Sequence, residues 1–134
     1  MQRQLNLESV SVQIKFSDKM QEPYIVFSSN TNGCKVCVFK PDWDGLKALF
    51  DLILLIKNNN PTGRETHISI NRNLWLVLQD YKENNYQVGI HTWKEGSIVK
   101  CNSMNLPWDT FCSLVNSSSS IDQYLQELSV KSPH

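Results

Sequence analysis

At Pro41-Asp42-Trp43-Asp44-Gly45-Leu46-Lys47-Ala48-Leu49-Phe50 the apolar period of the chain changes from strand-like to helix-like. A proline near the first turn, with Asp42 and Asp44 at the positive end of the dipole, opens a helix. Leu46, Leu49, Phe50, Ile53 and Ile56 recur on one face of it, widened by Leu52, Leu54 and Leu55. So broad a stripe calls for burial on more than one side. A second pair, Trp108-Asp109, opens a similar stretch 65 residues on, with Phe111, Leu114 and Val115. Sliding that offset back lays Lys35 on Lys100, Tyr24–Phe27 on Gly89–Thr92 and Val12–Ile14 on Val77–Gln79. The spacing predicts two diverged copies of one unit. The expected fold is α+β: two repeats of about four antiparallel strands followed by a helix, fused into one pseudo-two-fold domain. Repeat one runs over about 1–60, a linker over 58–64 and repeat two over about 65–130, with a loose tail at 129–134.

Working outward, Val10, Val12, Ile14 and Phe16 alternate with Ser11, Gln13 and Lys15, a strand with one wet face. Residues 1–8 read either as a frayed end or as a first strand. Pro23 starts a strand through Ser28, and Asn30-Thr31-Asn32-Gly33 turns it into a hairpin with Cys34–Lys40. Repeat two begins with His67–Ile70, followed by Leu74–Leu78, where Leu74, Leu76 and Leu78 face one way and Trp75 and Val77 the other. That pattern assigns Trp75 to the core. Tyr86–Trp93, a turn at Lys94-Glu95-Gly96 and a fourth strand over Ser97–Cys101 complete the set. Leu106-Pro107-Trp108 leads into a helix, interrupted at Asn116 and Ser117–Ser120, before a segment bearing Ile121, Tyr124, Leu125 and Leu128.

Composition bounds the function. A chain of 134 residues with 40% apolar content makes one compact domain, and two such small halves fold only around a shared core. No apolar run approaches 18 residues and no basic-then-apolar leader opens the chain, so the expectation is a soluble intracellular protein, nuclear or cytoplasmic, without a membrane partner. Cys34, Cys37, Cys101 and Cys112 read as reduced, packed thiols; the gap between Cys34 and Cys37 fits a zinc knuckle but falls inside a strand, so no metal is expected. Net charge is zero, against nucleic-acid binding by bulk charge alone. The strand-rich stretches nevertheless carry the basic excess and the helical ones the acidic excess, which directs an anionic partner to the sheet. No nucleophile elbow, phosphate loop or paired carboxylates are visible, so the chain reads as a non-enzyme without cofactor.

Trp75-Leu76-Val77-Leu78-Gln79-Asp80-Tyr81-Lys82, then Val88-Gly89-Ile90-His91-Thr92-Trp93, then Leu106-Pro107-Trp108 with Phe111 and finally Ile121-Asp122 with Leu125 resembles the core of the positive-cofactor-four transcriptional coactivators. The resemblance covers about residues 67–128. It implies a single-stranded-DNA-binding protein whose paired sheets present a concave surface backed by helices; a tandem copy would be a covalent pseudo-dimer, similar to the Whirly proteins. The family's contact positions fall on Arg72, Tyr81, Lys82 and Trp93, with Lys94 in the shortened basic hairpin and Lys100 beyond it. Repeat one offers Phe16, Lys19, Phe27, Lys35 and Lys40 as weaker equivalents, and Lys15 as an outward basic group. Aromatic faces stack on unpaired bases and Lys or Arg follow the phosphates. The implied partner is single-stranded DNA, or RNA. The plain alternatives are rim packing for Tyr81 and Trp93, solvated faces for the lysines, helix-to-sheet packing for Trp43 and Trp108, and ordinary surface roles for His67 and His91. The competing function is protein assembly, as a homo-oligomer or with another partner.

Overall fold

The computed structural model describes residues 3–59, 65–81 and 85–130. Strands β1 (Arg3–Asn6), β2 (Val10–Ser17), β3 (Glu22–Ser29) and β4 (Lys35–Phe39) form an antiparallel meander in chain order, followed by α1 (Lys40–Ala48) and α2 (Phe50–Asn59). β5 (Glu65–Ser69), β6 (Leu74–Tyr81), β7 (Asn85–Lys94), the short β8 (Ser97–Ile98) and β9 (Met104–Pro107) make a five-stranded antiparallel sheet, in which β8 and β9 both pair with β7. A 3-10 turn (Lys100–Asn102) joins them, and α3 (Trp108–Asn116) and α4 (Ser118–Val130) follow. Among the described residues no helix is long and apolar enough to cross a membrane.

Alternation sets the register of both sheets. Val12 stands opposite Phe27 and Ile14 opposite Ile25, and Phe27 and Ile25 face Val36 and Val38 across the next ladder. In the second sheet Leu76 faces Ile90 and Leu78 faces Val88, which in turn face Met104 and Leu106. All twelve are buried in one apolar cluster. The segment at the start of the chain is strand: Leu5 faces Val12 and packs against the core. The Asn-Gly hairpin forms as its sequence demands, with Gly33 at φ +74° and the Cys34 N–H donating to Asn32 Oδ1 at 3.0 Å.

Three expectations are corrected. The fourth strand of the second sheet, expected over Ser97–Cys101, is only Ser97–Ile98, because the Val99 N–H returns to the Thr92 carbonyl at 2.8 Å and the chain turns; a fifth strand, β9, supplies Met104 and Leu106 in phase with Ile90 and Val88. Each sheet is followed by two helices rather than one. The breaks fall at Leu49, whose N–H bonds to the Leu46 carbonyl at 3.0 Å, and at Ser117, whose N–H is shared between Ser113 and Leu114. The first break turns Phe50 and Ile53 into the core but leaves Leu52, Leu54 and Leu55 exposed, so the widened stripe is not buried throughout. Finally, counted from the sheet, Trp43 stands fourth in α1 and matches Phe111, fourth in α3, rather than Trp108, the first residue of its helix. Trp43 and Phe111 are both core, while Trp108 is half-buried beside Tyr86 and Phe111, with ring centroids at 5.3 and 5.6 Å.

The helices tie the halves together. α1 packs on β3 and β4, and α3 on β7 and β9, but α4 lies on β2 and β3 of the first sheet. In the reverse direction α2 brings the Lys57 ammonium over the rings of Trp108 (5.1 Å) and Tyr86 (5.5 Å), and Phe50 meets Phe111 edge-on at 5.5 Å. One continuous core results.

Candidate nucleic-acid interface

On the second sheet the residues out of phase with the leucines form an outer face, on which Val77 is buried and Trp75 half-buried. The turn before β6 shapes one end of it: Asn71 Oδ1 accepts the N–H groups of Asn73 (2.7 Å) and Leu74 (2.9 Å), an Asx turn that holds Arg72 exposed at its tip. The Trp93 N–H reaches the Asn73 carbonyl at 2.7 Å and fixes β7 beside that turn. Between them lies a groove of about 490 Å³ lined by His67, Arg72, Asn73, Trp75, Trp93, Glu95 and Gly96. Its far lip is the β7–β8 turn, where Glu95 (φ +55°) and Gly96 (φ +79°) adopt the left-handed conformation. Trp75 is therefore half-buried on the outer face, not in the core. The Trp93 indole Nε1–H is buried and has no hydrogen-bond partner among the described residues.

Polar pairs surround the groove. His67 Nε2 lies 3.2 Å from Glu65 Oε2, and Gln79 Nε2 donates to Glu65 Oε1 at 3.0 Å. These two bonds, that from Gln79 first, hold the Glu65 carboxyl below its usual value. His91, which faces Trp75 across the ladder, has Nε2 2.9 Å from Asn105 Oδ1. That link lies over Gly89: a Cβ there would stand 2.6 Å from both atoms.

The expected site residues fall into three groups. Arg72 and Trp93 meet in the groove, with exposed Lys94 beside it in the turn. Lys35 and Lys100, both exposed, come together where the sheets adjoin: Cys34 Sγ donates to the Lys100 carbonyl at 3.3 Å, and Asn102 Nδ2 to the Lys35 carbonyl at 3.0 Å. Lys15 stands on the outer face of β2 opposite Tyr24. Lys19 is exposed in the β2–β3 turn, and Lys40 heads α1 in an ion pair with Asp44 (2.9 Å). Tyr81 ends β6 with its side chain outside the described residues, and Lys82 lies outside them altogether, as do most of the linker and the end of the tail. Phe27 is removed from the set: it is 0% exposed, packed against Trp43 in the core, and Phe16 shares the core-facing phase of Ile14.

The groove residues not anticipated as a site are His67, Asn73, Trp75, Glu95 and Gly96. Trp75 was readable, since its phase opposes that of Leu74 and Leu76. All four cysteines are free thiols. No family model matches the chain, and no curated protein matches it.

Proposed function

We propose that this chain binds single-stranded nucleic acid, DNA or RNA, on the outer face of the second sheet, with unpaired bases stacked on Trp75 and Trp93 and phosphates held by Arg72 and Lys94. The observation that carries the reading is the groove itself: two indoles and a guanidinium converge on the outer sheet face, away from the core, with the Glu95 carboxylate at the lip. Aromatic faces of this kind accept any base, for about 1–3 kcal/mol each, which offsets the absence of net positive charge.

Within the same proposal, the halves are diverged copies related by a pseudo-two-fold, as in the coactivators of the positive-cofactor-four type and in Whirly proteins. Supporting it, each half runs an antiparallel sheet, of four strands in the first and five in the second, and then two helices, and the buried positions of β2, β3 and β4 recur in the same cross-strand pairs in β6, β7 and β9. A non-catalytic role inside the cell, in the nucleus or cytoplasm, belongs to this reading as well.

The test is fluorescence anisotropy of a labelled single strand of about 20 nucleotides, against a duplex control, at low and moderate salt. Saturable binding that prefers the single strand and weakens with salt is expected. Flat curves at both salts overturn it. One observation favours protein assembly instead: Leu52, Leu54 and Leu55 are 42%, 40% and 59% exposed along α2. That reading predicts self-association indifferent to salt, measured by light scattering.

A further inference from the structure

The outer face of the first sheet carries an aromatic and basic patch of its own. Tyr24 and Phe39 face each other across the β3–β4 ladder, with ring centroids 5.3 Å apart and planes tilted by 31°, and both remain partly exposed. Lys15 stands beside Tyr24 on β2, and Lys35 lies on the same face of β4, two alternations before Phe39. Between Lys35 and Phe39 on that face comes Cys37, whose thiol is pushed up by burial and drawn the other way by the charges of Lys15 and Lys35. Across β1–β4 the only acidic residue is Glu22, one alternation before Tyr24 on the same face of β3.

One end of this patch, at Lys35, adjoins the 3-10 turn that follows the groove's β7–β8 lip. The start of β4 is held against the 3-10 turn by the Cys34–Lys100 and Asn102–Lys35 bonds. The 3-10 turn is in turn held to Thr92, the neighbour of Trp93: the Val99 N–H bonds the Thr92 carbonyl at 2.8 Å, and the Thr92 N–H bonds Ser103 Oγ at 3.0 Å. A path from Trp93 to Phe39 therefore crosses Lys100 and Lys35 at the seam and then runs up β4. By register the patch is not the counterpart of the groove, since Trp75 matches Ser11 on β2.

We propose that a single strand bound in the groove continues over the seam onto the first sheet, where Tyr24 and Phe39 stack its bases and Lys15 and Lys35 neutralise its phosphates. This rests on the function proposed above and extends it to a second subsite. The occupant is set by charge and ring complementarity: paired aromatic faces flanked by two ammonium groups fit an anionic polymer with exposed bases.

The experiment compares thymidine oligonucleotides of about 5 and about 20 nucleotides, the shorter spanning one aromatic subsite and the longer both. In the double variant Tyr24→Leu, Phe39→Leu, which keeps apolar volume but removes the rings, affinity for the longer probe is expected to fall about tenfold or more, with the shorter probe unaffected. Alkylation of Cys37 by iodoacetamide, followed peptide by peptide in the unaltered protein, is expected to slow with the longer probe only, Cys112 on α3 serving as reference. Unchanged affinity of the folded variant for the longer probe, or an unchanged rate at Cys37, overturns the second subsite and leaves the groove standing. Failure of the unaltered protein to bind either probe overturns both.

Discussion

The Trp43 indole Nε1–H donates to Asp122 Oδ1 at 2.8 Å across 79 residues of sequence, joining the first helix to the last. Lys47 Nζ reaches both oxygens of the same carboxylate, at 2.9 and 2.8 Å, so one acidic group satisfies a core tryptophan and a half-buried lysine. Asp122→Ala leaves a buried indole N–H without an acceptor, and a loss of about 1–3 kcal/mol is expected. Asp122→Asn keeps an acceptor for the indole and loses only the ion pair, so the loss should be smaller. Urea midpoints of the two variants check the order; equal midpoints would show that the indole bond carries nothing.

Aromatic residues on opposite faces of the sheets should separate binding from stability. Trp75→Ala and Trp93→Ala are each expected to weaken oligonucleotide binding by about 1–3 kcal/mol, with the protein still folded by circular dichroism. Phe27→Ala, in the core beneath the first sheet, should instead cost about 3–5 kcal/mol of stability. A Phe27→Ala protein as stable as its parent would contradict the packing described here.

Gly89 gives a finer test of the outer face. An added Cβ meets only the ends of the Asn105 and His91 side chains, which can rotate away at the expense of their mutual hydrogen bond, about 0.5–1.5 kcal/mol. Replacing glycine by alanine returns about 0.4–1 kcal/mol through the unfolded chain. Gly89→Ala should thus leave the melting temperature nearly unchanged while freeing His91, and faster modification of His91 by diethyl pyrocarbonate is the expected readout.

Acid should loosen the fold through two exposed carboxylates. Hydrogen bonding to Lys40 holds the Asp44 carboxyl below its ordinary 3.8, and Gln79 and His67 hold Glu65 below 4.5. A carboxyl lowered in the folded state contributes stability above its unfolded value and loses it as the pH falls through the folded one. Stability measured by urea midpoint should therefore decline as the pH drops below about 4. At the other extreme, burial lowers the Lys47 value but its bonds to Asp122 and Asp44 outweigh that and raise it above 10.5, so its contribution persists in neutral solution and fades only as alkali titrates it.

Where the apolar period is local, the chain announces its structure. Val10, Val12 and Ile14 and the Asn32-Gly33 turn each carry their signal within a few residues and form as read, and the stripe from Leu46 to Ile53 is helical as read but divided at Leu49. β9 escapes because its alternation spans only Met104 and Leu106, behind a hairpin whose own residues look more strand-like. Trp75 is assigned inward because a tryptophan among leucines looks like core; its companions His67 and Trp93 arrive from other strands, and only register brings them to one groove. The seam of Lys35 and Lys100 is hidden for the same reason, since its bonds link residues 66 and 67 apart. The helix break at Leu49 answers to tertiary packing, which no local pattern encodes, whereas the one at Ser117 falls in the interruption read at Asn116 and Ser117–Ser120.

The placement of α4 across β2 and β3 also sets an order of events during synthesis. The strands of the first sheet are made before the second sheet, yet the helix that covers them is made only after it. Until Ile121, Leu125 and Leu128 emerge, the inner face of the first sheet lacks part of its cover, and the nascent chain must hold that apolar surface in check while the whole second half is translated. Severing the chain between residues 59 and 65 would yield two pieces that each expose what the other buries, soluble together and aggregation-prone apart.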